Sequence, residues 1–136
     1  MSPASPTHDK TPSPGRAAGW TGRVLSGLVG VMLIMSASAK FAGGPALEAN
    51  LAHIGFSAAL VPTLGVIELA SVILYLVPHT AVLGAIFLTA YLGGAAAAHM
   101  RIDESPLVPM LICVVAWLAL YLRDPRLRRL VPLRSR

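Results

Sequence analysis

Charge is what this sequence most conspicuously lacks. Only 12% of its 136 residues are Asp, Glu, Lys or Arg, about half the share usual in a soluble domain. Such a chain has too little polar surface to cover a globule in water. Cysteine is nearly absent as well: Cys113 stands alone in an apolar stretch. That excludes an intrachain disulfide and a C-x-x-C redox pair and leaves Cys113 as a packing residue. There is no G-x-S-x-G, no phosphate loop and no nucleophile beside a local base, so no motif makes the chain an enzyme on its own. No run of aromatics threads the basic residues, and the net charge of +5 therefore does not point to nucleic acid. His53 and His99 lack the spacing of a metal pair, and His79 lies at the far end of its apolar segment from His99, so no metal or haem is expected.

What the sequence does contain is apolar. Hydrophobic residues make up 55% of the chain, and the mean hydropathy is +0.69. A multi-span membrane protein needs no polar cover, because lipid solvates its outer face. A Pro-, Ser- and Thr-rich stretch over 1–19 is expected to be a disordered cytoplasmic tail. Four apolar segments follow at about 22–40, 58–77, 78–99 and 106–122. At about 1.5 Å per residue each approaches the roughly 30 Å hydrocarbon core. The expected fold is an all-α membrane protein, four transmembrane helices in an up-down bundle over 20–122, with a basic juxtamembrane tail over 123–136.

Local signals sharpen this outline. The first and fourth segments are short, so Lys40 and Arg123 are expected to snorkel. Gly43, Gly44 and Pro45 should break the first span, and a short interfacial helix is expected around Leu47–Ile54. In "VPHT", Pro78 suits the first turn of the third helix, which makes spans two and three antiparallel neighbours. The stretch "MSASAK" (35–40) resembles a signal-cleavage site, but the preceding tail is long and the apolar stretch exceeds a signal core, so this segment is read as a retained helix.

Among the basic residues, only Lys40, at the end of span one, and Arg101, just after span three, stand at the outer side; Lys10, Arg16 and Arg23 stand before or at the start of the first span, and the remaining Arg run from Arg123 to Arg136. The positive-inside rule then places both termini in the cytoplasm of the cell (inner) membrane. The arginines of "LRDPRLRRLVPLRSR" are expected to meet anionic lipid headgroups. A second copy or a membrane partner protein is the other expected partner.

The segment Gly65–Leu76, "GVIELASVILYL", contains one residue that oil rejects. A charged side chain at the bilayer centre costs roughly 2.5–3.5 kcal/mol, so Glu68 should point into the bundle. Gly65, Glu68, Ser71 and Tyr75 recur at three- and four-residue steps and share that face, while Leu69, Ile73 and Leu76 are expected to face lipid. Tyr91 lies at a similar depth in span three. Ser36 and Lys40 stand one turn apart near the outer end of span one, and His99 and Arg101 end span three on the same side. A buried polar pocket of Glu68, Tyr91, Ser71, Ser36, Lys40, His99 and Arg101 is therefore expected. Gly65, Gly93 and Gly94 are expected to serve helix packing, the last two within the rows Ala85–Thr89–Gly93–Ala97 and Ala90–Gly94–Ala98. Cys113, Trp117 and Tyr121 form a stripe on span four suited to packing and interface anchoring. Glu68 is open to two roles, a hydrogen-bonded clasp between helices or a group in a ligand- or proton-handling pocket.

The stretch "LGVIELASVILYLVPHTAVLGAIFLTAYLGGAAAAHMR", together with "WTGRVLSGLVG" and "LYLRDPRLRRLVPLR", resembles the DoxX-like family of small four-span membrane proteins. Onto this chain the resemblance carries Gly65, Glu68, Tyr91, Gly93, Gly94, His99 and Arg101, with Lys40 ending span one. The family includes relatives of a membrane subunit of thiosulfate–quinone oxidoreductase and others with no assigned activity. The resemblance implies the fold and the membrane location and bears on activity only loosely; the reading kept first is a non-catalytic membrane subunit or accessory factor of unassigned activity, with no cofactor predicted. The alternative it implies is a quinone- or proton-handling component of a redox complex, with Glu68 and Tyr91 in the pocket.

Overall fold

Two glycines and a proline end the first helix where the sequence places the break. Gly43 and Gly44 adopt φ of +67° and +128°, a region that L side chains avoid, and Pro45 opens the next helix. The computed structural model describes residues 16–130. These form α1 (Arg16–Ala42), α2 (Pro45–His53), a 3₁₀ turn (Ala58–Leu60), α3 (Val61–Leu76), α4 (Ala81–Met100), α5 (Leu107–Arg123) and α6 (Pro125–Leu130). The expected disordered tail lies outside the described residues up to residue 15, as do 131–136 with Arg134 and Arg136. Residues 16–19, read as tail from their composition, belong to the first turn of α1.

Three stretches are long and apolar enough to cross a membrane: Ala17–Ala42, Ala58–Leu76 and Ala81–Met100; Leu107–Arg123 is a shorter apolar helix of 17 residues. Their outer faces carry exposed large hydrophobics, among them Leu28, Met35, Val66, Ile73, Ile86, Leu111 and Val114. That inversion of the soluble pattern is what lipid solvation permits. α1 packs against α3 and α5, and α4 packs against the same two helices, so the four close a ring around Val29, Leu33, Val72, Leu88, Leu92 and Leu120.

Tyr75 pins this core. It is fully buried; its hydroxyl donates to the Ala116 carbonyl at 2.8 Å and lies 3.1 Å from Ser26 Oγ, joining α3 to α5 and α1. Tyr75→Phe should cost about 1–2 kcal/mol, because it strips a buried hydroxyl of its partner; thermal unfolding in detergent measures it. Between α4 and α5, Trp117 Nε1 donates to Thr89 Oγ1 at 2.8 Å, and Cys113 Sγ lies 3.6 Å from the same oxygen.

The helix contacts rearrange several expectations. Pro78 is in the turn before α4, not in its first turn. The Thr80 hydroxyl reaches back to the Leu74 carbonyl at 2.8 Å and its N–H to Val77, so 77–80 complete the end of α3 and α4 begins only at Ala81. Arg123 does not snorkel: it donates to the Tyr75 carbonyl and lies over the Tyr75 ring, 4.9 Å from its centre, capping the last turn of α3. Leu76 does not face lipid either, since its methyl groups sit against Gly30 of α1, where a Cβ would approach within 2.9 Å.

Packing by glycine falls on other positions than Gly93 and Gly94. A Cβ at either of those would meet nothing within 4 Å. A Cβ at Gly84 would instead overlap the Tyr75 backbone, and one at Gly22 would lie 2.7 Å from the Ala119 carbonyl oxygen. The phase of α4 explains the difference. Its buried row is Ala81, Gly84, Ala85, Leu88, Leu92 and Ala96, and nine residues beyond Gly84 at about 100° each bring Gly93 about half a turn away.

The segment after α2 closes one end of the ring. Phe56 N–H bonds the Leu51 carbonyl at 2.8 Å and Gly55 N–H that of Ala52 at 3.0 Å, the paired C-terminal bonds of a Schellman motif. Gly55 holds φ +90°, and a Cβ there would lie 3.1 Å from an Arg101 guanidinium nitrogen. Gly55→Ala should therefore cost about 1–3 kcal/mol in strain, seen as a lowered unfolding temperature. An unchanged midpoint would mean that this turn adds nothing to stability.

Candidate functional site

Glu68 lies midway along α3 and is only 2% exposed. A carboxylate so placed is tolerable only if paired and hydrogen-bonded, and the partner comes from α1. Lys40 Nζ donates to Glu68 Oε2 at 2.9 Å and to Ser36 Oγ at 2.9 Å, with the lysine side chain 11% exposed. Lys40 therefore turns inward and does not snorkel. α1 runs to Ala42, so its length needs no help from Lys40 to span. Gly65, one turn before Glu68, makes the inward path available: a Cβ there would come within 3.2 Å of Lys40 Cβ and of the Phe41 ring. The lysine stem passes over this bare backbone and delivers its ammonium one turn further along α3.

The ion pair forms part of the wall of a cavity of about 640 Å³. Ser36, Lys40, Glu68, Tyr91 and His99 all line it. Apolar side chains make the rest of the wall, including Leu33 of α1, Ile67 of α3, Phe87 of α4 and Ile112 of α5. α2 adds Leu47, Asn50 and Leu51 across one end. Two of the residues grouped from the sequence stand elsewhere. The Ser71 hydroxyl bonds the Ile67 carbonyl at 2.7 Å within its own helix, and Arg101 packs on Gly55. Asn50 is the polar lining residue that the sequence did not single out. It shares a helical face with Leu47, Leu51 and Ile54, but that spacing does not say which surface the face will cover.

At the rim, His99 Nδ1 lies 2.8 Å from Glu104 Oε2, and His53 Nε2 lies 3.6 Å from the other oxygen of the same carboxylate. This joins α2 to the end of α4 and the loop after it. Among the described residues no group of three or more His, Cys, Asp or Glu is arranged to hold a metal ion, and no buried side-chain nitrogen or oxygen lacks a hydrogen-bond partner.

Chemically, the cavity offers apolar walls and a few convergent polar groups, which is the composition of a small-molecule site. Two Lys40 N–H bonds are engaged, and an ammonium carries three, so one remains for an acceptor. Tyr91 can donate or accept. The set suits an elongated apolar body with a carbonyl- or hydroxyl-bearing head.

Residues 24–120 match the model of the DoxX-like family, a stretch that includes every lining residue of the cavity. No curated protein and no solved structure matches the chain.

Proposed function

Because the chain belongs to the DoxX-like family, we propose that it is a multi-pass protein of the cell membrane in which α1, α3, α4 and α5 span as an up-down bundle with both termini cytoplasmic. We propose further that it holds an amphipathic small molecule of the quinone type in the cavity beside Lys40 and Glu68. The bias of Lys and Arg toward the two ends of the chain supports the orientation. The ligand reading is carried by one observation: a buried ammonium–carboxylate pair forms part of the wall of an otherwise apolar cavity of about 640 Å³, within the usual size of ligand sites. In this role the chain is a binding component, and electron transfer belongs to a partner protein.

Its residues then divide the work. Lys40 donates to a head-group oxygen, Glu68 and Ser36 hold the lysine in place, and Tyr91 offers a second hydrogen bond. The walls from all four ring helices exclude water from the head, which strengthens each polar contact. Purified protein titrated with a short-chain ubiquinone should show saturable binding. Gly94→Leu should weaken it by about tenfold or more, because about 1.5–3 kcal/mol of apolar contact then goes to the new side chain. Gly94 lines the cavity and has no neighbour within 4 Å of its missing Cβ, so this variant fills space without disturbing the ion pair. Absence of saturable binding, or equal binding by Gly94→Leu, sinks the ligand reading.

The completeness of the polar bonding favours a second reading, in which Lys40–Glu68 is a clasp that holds α1 to α3 in an accessory membrane subunit. Glu68→Gln separates the two. An amide still accepts from Lys40, so a clasp keeps the folded yield and the phenotype, whereas a ligand or proton site keeps the yield and loses the phenotype.

A further inference from the structure

A second cavity, of about 660 Å³, lies where the start of α1, the α3–α4 turn, the end of α5 and α6 converge. Its polar groups are Arg23, His79, Arg123, Asp124 and Arg126, and its apolar wall includes Ala81, Val82, Leu120 and Leu127. Three arginines thus share the cavity wall with one aspartate. Asp124 is already engaged, its Oδ1 accepting the Arg126 backbone N–H at 2.8 Å, and among the described residues it forms no salt bridge with an arginine.

The arginines of this end differ in what they can do. Arg123 is fixed by its bond to the Tyr75 carbonyl and its stacking on the Tyr75 ring. Arg128 lies outside the cavity, its guanidinium donating to the carbonyls of Tyr121 and Leu122 at 2.8 and 2.5 Å. Arg23 and Arg126 line the cavity, and the hydrogen bonds and salt bridges of the described residues leave their guanidinium groups without a partner. Arginines lining one cavity from α1, the end of α5 and α6 offer planar forks of N–H donors, which bind the oxygens of a phosphate in pairs. The apolar wall beside them, continued by Leu130 at 79% exposure, suits the glycerol and first methylenes of a lipid better than it suits a hydrated free anion.

We infer that this cavity is a binding site for the phosphate of an anionic phospholipid, held by Arg23 and Arg126 with Arg123 as a fixed third donor. The site is separate from the Lys40–Glu68 cavity, and its three arginines lie outside the residues that match the family model.

The test uses the full chain in detergent micelles, with native mass spectrometry counting retained lipid. The probes are phosphatidylglycerol, phosphatidylcholine and inorganic phosphate. The charge-matched variants R126Q and R129Q decide it, because both side chains are exposed on α6 and only Arg126 lines the cavity. One phosphatidylglycerol should be retained per chain in preference to phosphatidylcholine. R126Q and R23Q should each weaken retention by about tenfold or more, as loss of charge-assisted hydrogen bonds does, and R129Q by about twofold or less, as loss of a screened surface charge does. Equal effects of R126Q and R129Q would reduce the site to general electrostatics and overturn the inference. So would retention of neither lipid, or binding of inorganic phosphate as tight as that of phosphatidylglycerol, which would make the occupant a soluble phosphate compound.

Discussion

Lys40→Met should lower the unfolding free energy by about 3–5 kcal/mol, the range for removing one partner from a buried ion pair. The cost arises less from the lost attraction than from what remains. Glu68 would stay midway along α3, 2% exposed, with its principal donor gone. Met has the length and apolar stem of Lys, so packing against Gly65 survives and the effect isolates the charge. The double variant Lys40→Met/Glu68→Leu should recover most of the loss, because replacing both partners by apolar groups is often neutral or stabilising. Denaturant titration in detergent micelles, read by helix content, measures all three proteins. A double variant as unstable as Lys40→Met alone would mean that the cost came from shape and not from an unpaired carboxylate. The same double variant bears on function: a bundle stable without the pair yet unable to bind a quinone would separate the ligand role from the clasp.

Gly84→Val should cost about 3 kcal/mol or more, at or beyond the upper end of overpacking effects. The obstacle is backbone. A Cβ at this position would overlap the Tyr75 main chain, and main chain cannot rotate aside as a flexible side chain can. α4 would have to move away from α3, withdrawing Ala85 and Leu88 from the core they share with Val72 and Tyr75. Gly93→Ala serves as control. Nothing lies within 4 Å of its missing Cβ, so the change should stay within about 1 kcal/mol and lean toward stabilisation, since Ala is the better helix former. Comparable losses from the two substitutions would show that glycine flexibility, and not close approach, is what α4 requires.

The contrast between these glycines shows how far sequence alone reaches. Small residues recur along α4 in several registers, and any of them could bring two helices together. Selecting the register needs the position of α3, which depends on the turn through Pro78 and Thr80 and on packing across the whole ring. Lys40 presents the same difficulty. At the end of an apolar segment a lysine normally reaches for water, and only the nearness of Gly65 and Glu68, on a helix that the chain reaches after a further helix and a turn, draws it inward. The arginines from Arg123 to Arg129 are alike as residues, yet Arg123 and Arg128 hold helix carbonyls while Arg126 lines a cavity with its guanidinium unpartnered among the described residues. Local pattern cannot distinguish them, because what differs is the backbone that happens to lie opposite.

Composition and periodicity by themselves determined that this chain is helical, apolar on its outer faces and obliged to turn Glu68 inward, because those properties depend on hydropathy and on the 3.6-residue repeat along one segment at a time. Tertiary structure alone decided which cation answers Glu68, which glycines let helices touch, and that Ser71 and Arg101 stand apart from the cavity that Ser36, Lys40, Glu68, Tyr91 and His99 share. Those choices depend on contacts between residues far apart in the chain, and no single segment contains both sides of such a contact.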